Sequence, residues 1–253
     1  MIVEVAASGG RLSMLMVDES RNKVSNQPAE RAVLISYGAP SAPRVLGVEV
    51  DLFLEESAKR LSSAASALVA VLLPSGVGAS EGTFSPLRWK QDIAEAVEYL
   101  VSEVGVGVVY LVGYELISVQ VLAVAAESAS VAGVATVSTV PSVPPYGLSI
   151  YELCDQIESL GVRVPSSIEA IRSWQNEYLA IDPVKIASQL GKTPWIVLHG
   201  MDDGAVPEAV LRELLEEVAG FGELHMITAG GESLRADPRV LALVVGWLAR
   251  LVA

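Results

Sequence analysis

Cysteine and histidine are almost missing from this chain, and their scarcity limits its chemistry before any motif is read. A single cysteine, Cys154, excludes an internal disulfide framework and any multi-cysteine zinc site. Two histidines, His199 and His225, leave little imidazole for acid–base work or metal ligation. Basic residues are also few, 17 against 30 acidic, for a net charge of -13. No run of five or six of them exists, so neither nucleic acid nor an anionic membrane surface is expected as a partner. Asn and Gln total nine, and arginines outnumber lysines twelve to five. The shortage of thermolabile residues suggests a thermophilic protein, although the low lysine count runs against that pattern.

Long hydrophobic runs are missing too, despite a mean hydropathy of +0.46. Leu68–Leu73 is strand-length and stops at Pro74, and Leu116–Ala126 stops at Glu127. The uncharged stretch 128–151 is interrupted by Pro141, Pro144 and Pro145, whereas a spanning helix needs about 20 mostly apolar residues. The opening residues MIVEVAASGG carry no basic n-region, so they do not read as a signal peptide. The expectation is a soluble, cytoplasmic protein.

What is present is enough apolar material for a large core: 253 residues, 51% hydrophobic and 19% charged. Ile2–Ala7 and Arg11–Val17 read as strands joined by a Ser8-Gly9-Gly10 hairpin turn. Short β-branched runs then alternate with helical patterns. Strands are expected at Arg31–Tyr37, Ala67–Leu73, Val106–Val112, Val131–Thr139, Trp195–His199 and Glu223–Thr228. Helices are expected at Asp51–Ala65 (with Asp51 as cap), Trp89–Val104, Leu116–Ser128, Pro207–Ala219 and about Asp237–Val252. This alternation predicts one α/β domain: a mostly parallel sheet covered by helices on both faces, with the hairpin as an antiparallel edge. Residues 140–190 interrupt the rhythm and read as an inserted helical cap over the C-terminal strand ends, where open α/β sheets bind ligands. The last helix is apolar on more than one face, which points to burial in its own core or in a homodimer.

Two nucleotide motifs fail. Gly191-Lys192-Thr193 lacks the glycine a phosphate loop needs at position 186, which is Ile186, and is followed by Pro194. Gly76-Val77-Gly78 has its third glycine, Gly82, one residue late, and no helix start follows.

Five other segments form a pattern in order: Tyr37-Gly38-Ala39-Pro40, Gly78-Ala79-Ser80-Glu81-Gly82, Gly113-Tyr114-Glu115-Leu116-Ile117-Ser118, the run from His199 to Pro207, and Ala229-Gly230-Gly231-Glu232-Ser233-Leu234. Together they resemble the α/β-hydrolase family of serine esterases and peptidases. The resemblance implies that fold, an oxyanion turn at Tyr37–Pro40, a structural loop at Gly78–Gly82, a nucleophile elbow at Gly113–Ile117 and a triad acid at Asp203. It also implies a base loop at 229–234. The chain departs where the chemistry lies. The nucleophile position is Glu115, the last elbow glycine is Ile117, whose branching is expected to crowd the turn, and the histidine position is Glu232.

By resemblance, Glu115, Asp203 and Glu232 occupy the triad positions, with the backbone N–H groups of Ala39 and Leu116 as an oxyanion-type hole. Tyr37, Tyr114, Trp174 and Tyr178 are the pocket and cap residues, the last two lying four apart on one helix face. Without a serine and its base, the expected function is non-catalytic or divergent binding of a small molecule in the cleft under the cap. The alternative is an esterase-like hydrolase using the three carboxylates. Other readings are a serine such as Ser118 or Ser233 recruited from nearby, and a Mg or Ca ion among the carboxylates; otherwise no cofactor is expected. Each residue also has a plainer role: Glu115 capping its helix, Glu232 solvated or paired with Arg235, Asp203 holding its own turn, and Cys154 inert.

Overall fold

Strands rich in Val, Leu and Ile, buried on both faces, build the centre of the molecule. The structure, a computed structural model, describes residues 1–19, 29–37, 48–141, 145–218, 221–228 and 231–252; at 48–54, 146, 231–233 and 252 it describes the backbone alone. Its strands are β1 (Ile2–Ala7), β2 (Gly10–Val17), β3 (Arg31–Ser36), β4 (Leu68–Leu73), β5 (Val108–Tyr114), β6 (Val131–Val137), β7 (Trp195–Gly200) and β8 (Gly222–Ile227). They form one sheet in the order β1-β2-β4-β3-β5-β6-β7-β8. The strands from β3 to β8 pair in parallel, and β1 and β2 form the antiparallel edge expected of the opening hairpin.

The helices are α1 (Val48–Ala65), α2 (Pro86–Tyr99), α3 (Ser118–Glu127), α4 (Ile150–Ser159), α5 (Ile168–Ala180), α6 (Pro183–Gln189), α7 (Glu208–Glu216) and α8 (Pro238–Val252). Strand alternation sends neighbouring side chains into two cores. Along β5, Val109 and Leu111 enter the core shared with α2, α3 and the helices of the insertion, whereas Tyr110, Val112 and Tyr114 enter the core under α1 and α8. In α8, Val240, Val244, Trp247 and Leu248 are buried in that second core, with Leu241, Leu243, Val245 and Leu251 packed around them. Most of its apolar surface is thus used within the chain.

Several boundaries differ from the sequence reading for identifiable reasons. Helix α1 starts at Val48, so Asp51 lies inside it rather than capping it. Helix α2 starts at Pro86 behind the Ser85 cap, and its last turn widens into a π-helix at Leu100–Val104, closed by Gly105 at φ 83°. The amides of Val106 and Gly107 are taken by Leu100 O and Glu30 O, so β5 begins at Val108 and runs on to Tyr114. That shift places Glu115 directly after the strand. A 3-10 helix at Gly231–Ala236, which periodicity did not signal, precedes α8.

The segment 140–190 contains a 3-10 turn (Pro145–Gly147) and helices α4 to α6, with no strand among the described residues. Helix α5 packs on α2, and α6 packs on α3 and α7. The segment also reaches the loop after β4: Arg163 N donates to Gly76 O, and Phe84 N donates to Arg163 O. No described helix is long and apolar enough to cross a membrane.

Candidate functional site

The C-terminal end of β5 carries the most constrained residue of the site. Glu115 stands between the strand and a 3-10 turn (Glu115–Ile117) that leads into α3, and its φ is 54°. A left-handed backbone costs a non-glycine residue roughly 1–2 kcal/mol, so the surroundings must hold it. They do so through Ser118, whose Oγ donates to Glu115 O at 2.6 Å and accepts from Val140 N at 3.3 Å. Ser118 is thereby fully buried in a structural bridge between the turn and the end of β6.

The turn also demands a small residue behind it. A Cβ on Gly113 would meet Val121 Cγ2 of α3 at 2.4 Å. Ile117, in contrast, does not crowd the turn: at φ -88° it is fully buried in the core on the α3 side. Strand, left-handed turn residue and helix follow one another sharply here, with the Glu115 carboxylate at the apex.

Arg235, in the 3-10 helix before α8, reaches that carboxylate. Its Nη2 donates to Glu115 Oε2 at 3.2 Å and to Tyr37 O at 3.0 Å. Both side chains are largely enclosed, 12% exposed for Arg235 and 17% for Glu115. The guanidinium also lies 5.5 Å from the Tyr37 ring centroid, a cation–π contact. Tyr37 in turn stacks on Tyr114 at 4.5 Å. Burial raises the pKa of both phenols, that of Tyr114 further because Tyr37 lies against it, so both are neutral hydroxyls at ordinary pH. The 3-10 helix before α8 therefore delivers a cation to the turn after β5. Sequence reasoning missed this pairing; the available signal was that an enclosed carboxylate needs a partner, and Arg235 is a cation three residues beyond Glu232.

Asp203 lies three residues beyond β7, two strands away from β5, or about 10 Å at ordinary strand spacing. Its Oδ1 accepts from Ala205 N at 2.8 Å and Val206 N at 3.1 Å, closing its own turn. Its Oδ2 is 3.4 Å from Nε2 of the fully buried His199, which also lies 3.1 Å from Val206 O. Burial lowers the His199 pKa, with Asp203 opposing, and Nδ1 has no hydrogen-bond partner among the described residues. The turn acid is thus engaged by a histidine from its own strand. His225, on the edge strand β8, pairs with Glu223.

The remaining expected residues fall as follows. The Glu232 backbone is in the 3-10 helix, but its side chain lies outside the described residues, as does Ala39. Leu116 sits in the turn after Glu115. Trp174 and Tyr178 are buried on α5, where Trp174 meets Phe84 edge-on at 4.8 Å and Phe84 meets Trp89 at 4.5 Å. Tyr37, Tyr114 and Glu115 are thus gathered around Arg235, while Asp203 and the α5 aromatics have other neighbours. Ser80, in the Gly78–Gly82 loop, is structural: its Oγ donates to Leu73 O and accepts from Ser13 N. Among the described residues, no three His, Cys, Asp or Glu side chains come together so as to hold a metal ion.

No family model matches the sequence, and no curated protein matches it. Solved structures do. An esterase of Pyrococcus furiosus superposes with a TM-score of 0.70 at 15% identity, covering 100% of this chain and 91% of its own. An α/β-hydrolase, GrgF, from a Penicillium species gives 0.70 at 17% identity, covering 99% and 98%. Est1E of Butyrivibrio proteoclasticus, solved with ferulic acid bound, gives 0.66 at 14% identity, covering 99% and 97%. With its sheet order, its left-handed turn after β5 and this likeness along almost its whole length, the chain has the α/β-hydrolase fold.

Proposed function

We propose that this chain is an α/β-hydrolase-fold protein that binds a small molecule without serine-type hydrolysis. The observation that carries this reading is the ion pair at the elbow: the apex residue is Glu115, and Arg235, just past the 229–234 loop, holds its carboxylate at 3.2 Å. Serine-type acyl transfer needs a hydroxyl at the apex and a base within reach to take its proton. Here the apex presents an anion, and Arg235 presents a guanidinium, which cannot act as a base in a protein. The ionic contact fixes the carboxylate and occupies one of its oxygens. That argues against Glu115 as a mobile base or nucleophile, and so against the carboxylate hydrolase. The esterases among the structural neighbours lend the fold to this reading and not their chemistry.

Labelling with a serine-directed fluorophosphonate tests it. Intact-mass spectrometry should show no adduct on the wild-type protein under conditions that label a serine esterase fully. A stoichiometric adduct on any serine would overturn the reading.

A further inference from the structure

On the α1/α8 face of the sheet, beneath the elbow, lies a cavity of about 90 Å³. Tyr37, Tyr114 and Arg235 line it, together with Leu61 of α1 and Leu241 and Val244 of α8. That space suits a small organic molecule of propionate or butyrate size. Most of the wall is apolar, so a bare ion would lose hydration with little return, and an alkyl chain would gain by burial.

The polar part of the lining selects the head group. Arg235 brings an enclosed cation, and the tyrosines are neutral hydroxyls. Asp237 also lines the cavity, but Arg239 takes up its carboxylate: Nε lies 3.0 Å from Oδ1 and Nη2 lies 2.5 Å from Oδ2. Arg60, the other basic lining residue, is mostly exposed and paired with Glu56. A ligand that accepts hydrogen bonds and carries negative charge at one end would meet Arg235 here, in competition with Glu115.

We propose that this cavity binds a short-chain monocarboxylate, its carboxylate against the Arg235 guanidinium and its alkyl chain between Leu61, Leu241 and Val244. The proposal rests on the non-hydrolytic reading of the elbow and names the ligand class for it. The ligand shares Arg235 with Glu115, so the elbow carboxylate competes with it.

Thermal melts with sodium butyrate at constant ionic strength test the assignment, with butyramide and 1-butanol as neutral counterparts. Butyrate should raise Tm in a saturable way, because a ligand that binds only the folded state stabilises it. The neutral analogues should need about tenfold more ligand or more for the same shift. Leu241→Trp, which fills the cavity, should abolish the shift; Val244→Met is a milder filler should the first variant fold poorly. Glu115→Gln should tighten butyrate binding by removing the competitor. No saturable shift up to about 100 mM, equal responses to the neutral analogues, or a full response in the filled variant would overturn the assignment. Activated-ester turnover by the same preparation would overturn the non-hydrolytic reading instead. An absence of both binding and turnover would overturn the cavity assignment alone.

Discussion

Glu115 and Arg235 form an enclosed ion pair at the C-terminal end of β5. A lone carboxylate at an enclosed, left-handed apex would be costly, and its guanidinium partner removes most of that cost. The pair's energetic coupling is directly measurable. Glu115→Gln and Arg235→Gln should each lower stability by about 2–3 kcal/mol, since each leaves an enclosed charge without its counter-charge. The double variant should recover about 1–3 kcal/mol relative to the sum. Additive losses in urea denaturation would show that the pair contributes nothing to the fold.

A second prediction at the same scale concerns His199. Burial lowers its folded pKa below the ordinary histidine value of about 6.5, so the unfolded chain takes up a proton the folded chain refuses. Stability should therefore fall as pH drops through and below about 6.5, and His199→Gln should flatten that limb. Asp92 acts in the opposite sense: burial raises its pKa above 3.8, so its effect on stability lies at lower pH and favours the fold on acidification. Urea midpoints measured between pH 7.5 and 5 check the histidine effect; an unchanged slope in the variant would exclude it.

At the scale of elements, the turn between β5 and α3 depends on close approach. Gly113→Ala should cost about 1–3 kcal/mol, because the new Cβ would press on Val121 unless α3 moves away from the strand. Calorimetry reads this, and a neutral effect would mean that α3 is free to shift. Helix α5 is fastened to α2 by the Trp174–Phe84–Trp89 cluster. Trp174→Ala should therefore cost about 3–5 kcal/mol. A loss below 1 kcal/mol would mean that the insertion docks without this cluster.

The elements also show where sequence reading succeeds and where it stops. Buried parallel strands such as β4, LVAVLL, are legible because both faces must be apolar, and the hairpin is legible from its turn residues. The π-helix at Leu100–Val104 is not, because its widening leaves the apolar spacing of Ile93, Val97, Leu100 and Val104 looking α-helical, and the apolar run from Val106 likewise hides that β5 starts at Val108. Glycine and acid motifs pointed to the positions of Glu115 and Asp203. The partners stayed hidden, because Arg235 meets Glu115 across 120 residues and local spacing carries no information about such a contact. His199 was legible as a strand-end histidine but not as the partner of Asp203, four residues on, because the contact requires the chain to turn back after β7.

For the whole molecule, the scarcity of imidazole is matched by an ion pair. Both histidines meet carboxylates near their own strands: His199 at the Asp203 turn and His225 at Glu223 on the edge strand. The acidic surplus supplies the apex residue, and one of the chain's twelve arginines neutralises it. The most direct test is the turnover of p-nitrophenyl acetate and butyrate by the wild-type protein beside Glu115→Ala. The account predicts equal rates for the two proteins, neither above a heat-denatured control. Turnover by the wild type that is lost in Glu115→Ala would contradict it and make Glu115 a catalytic carboxylate.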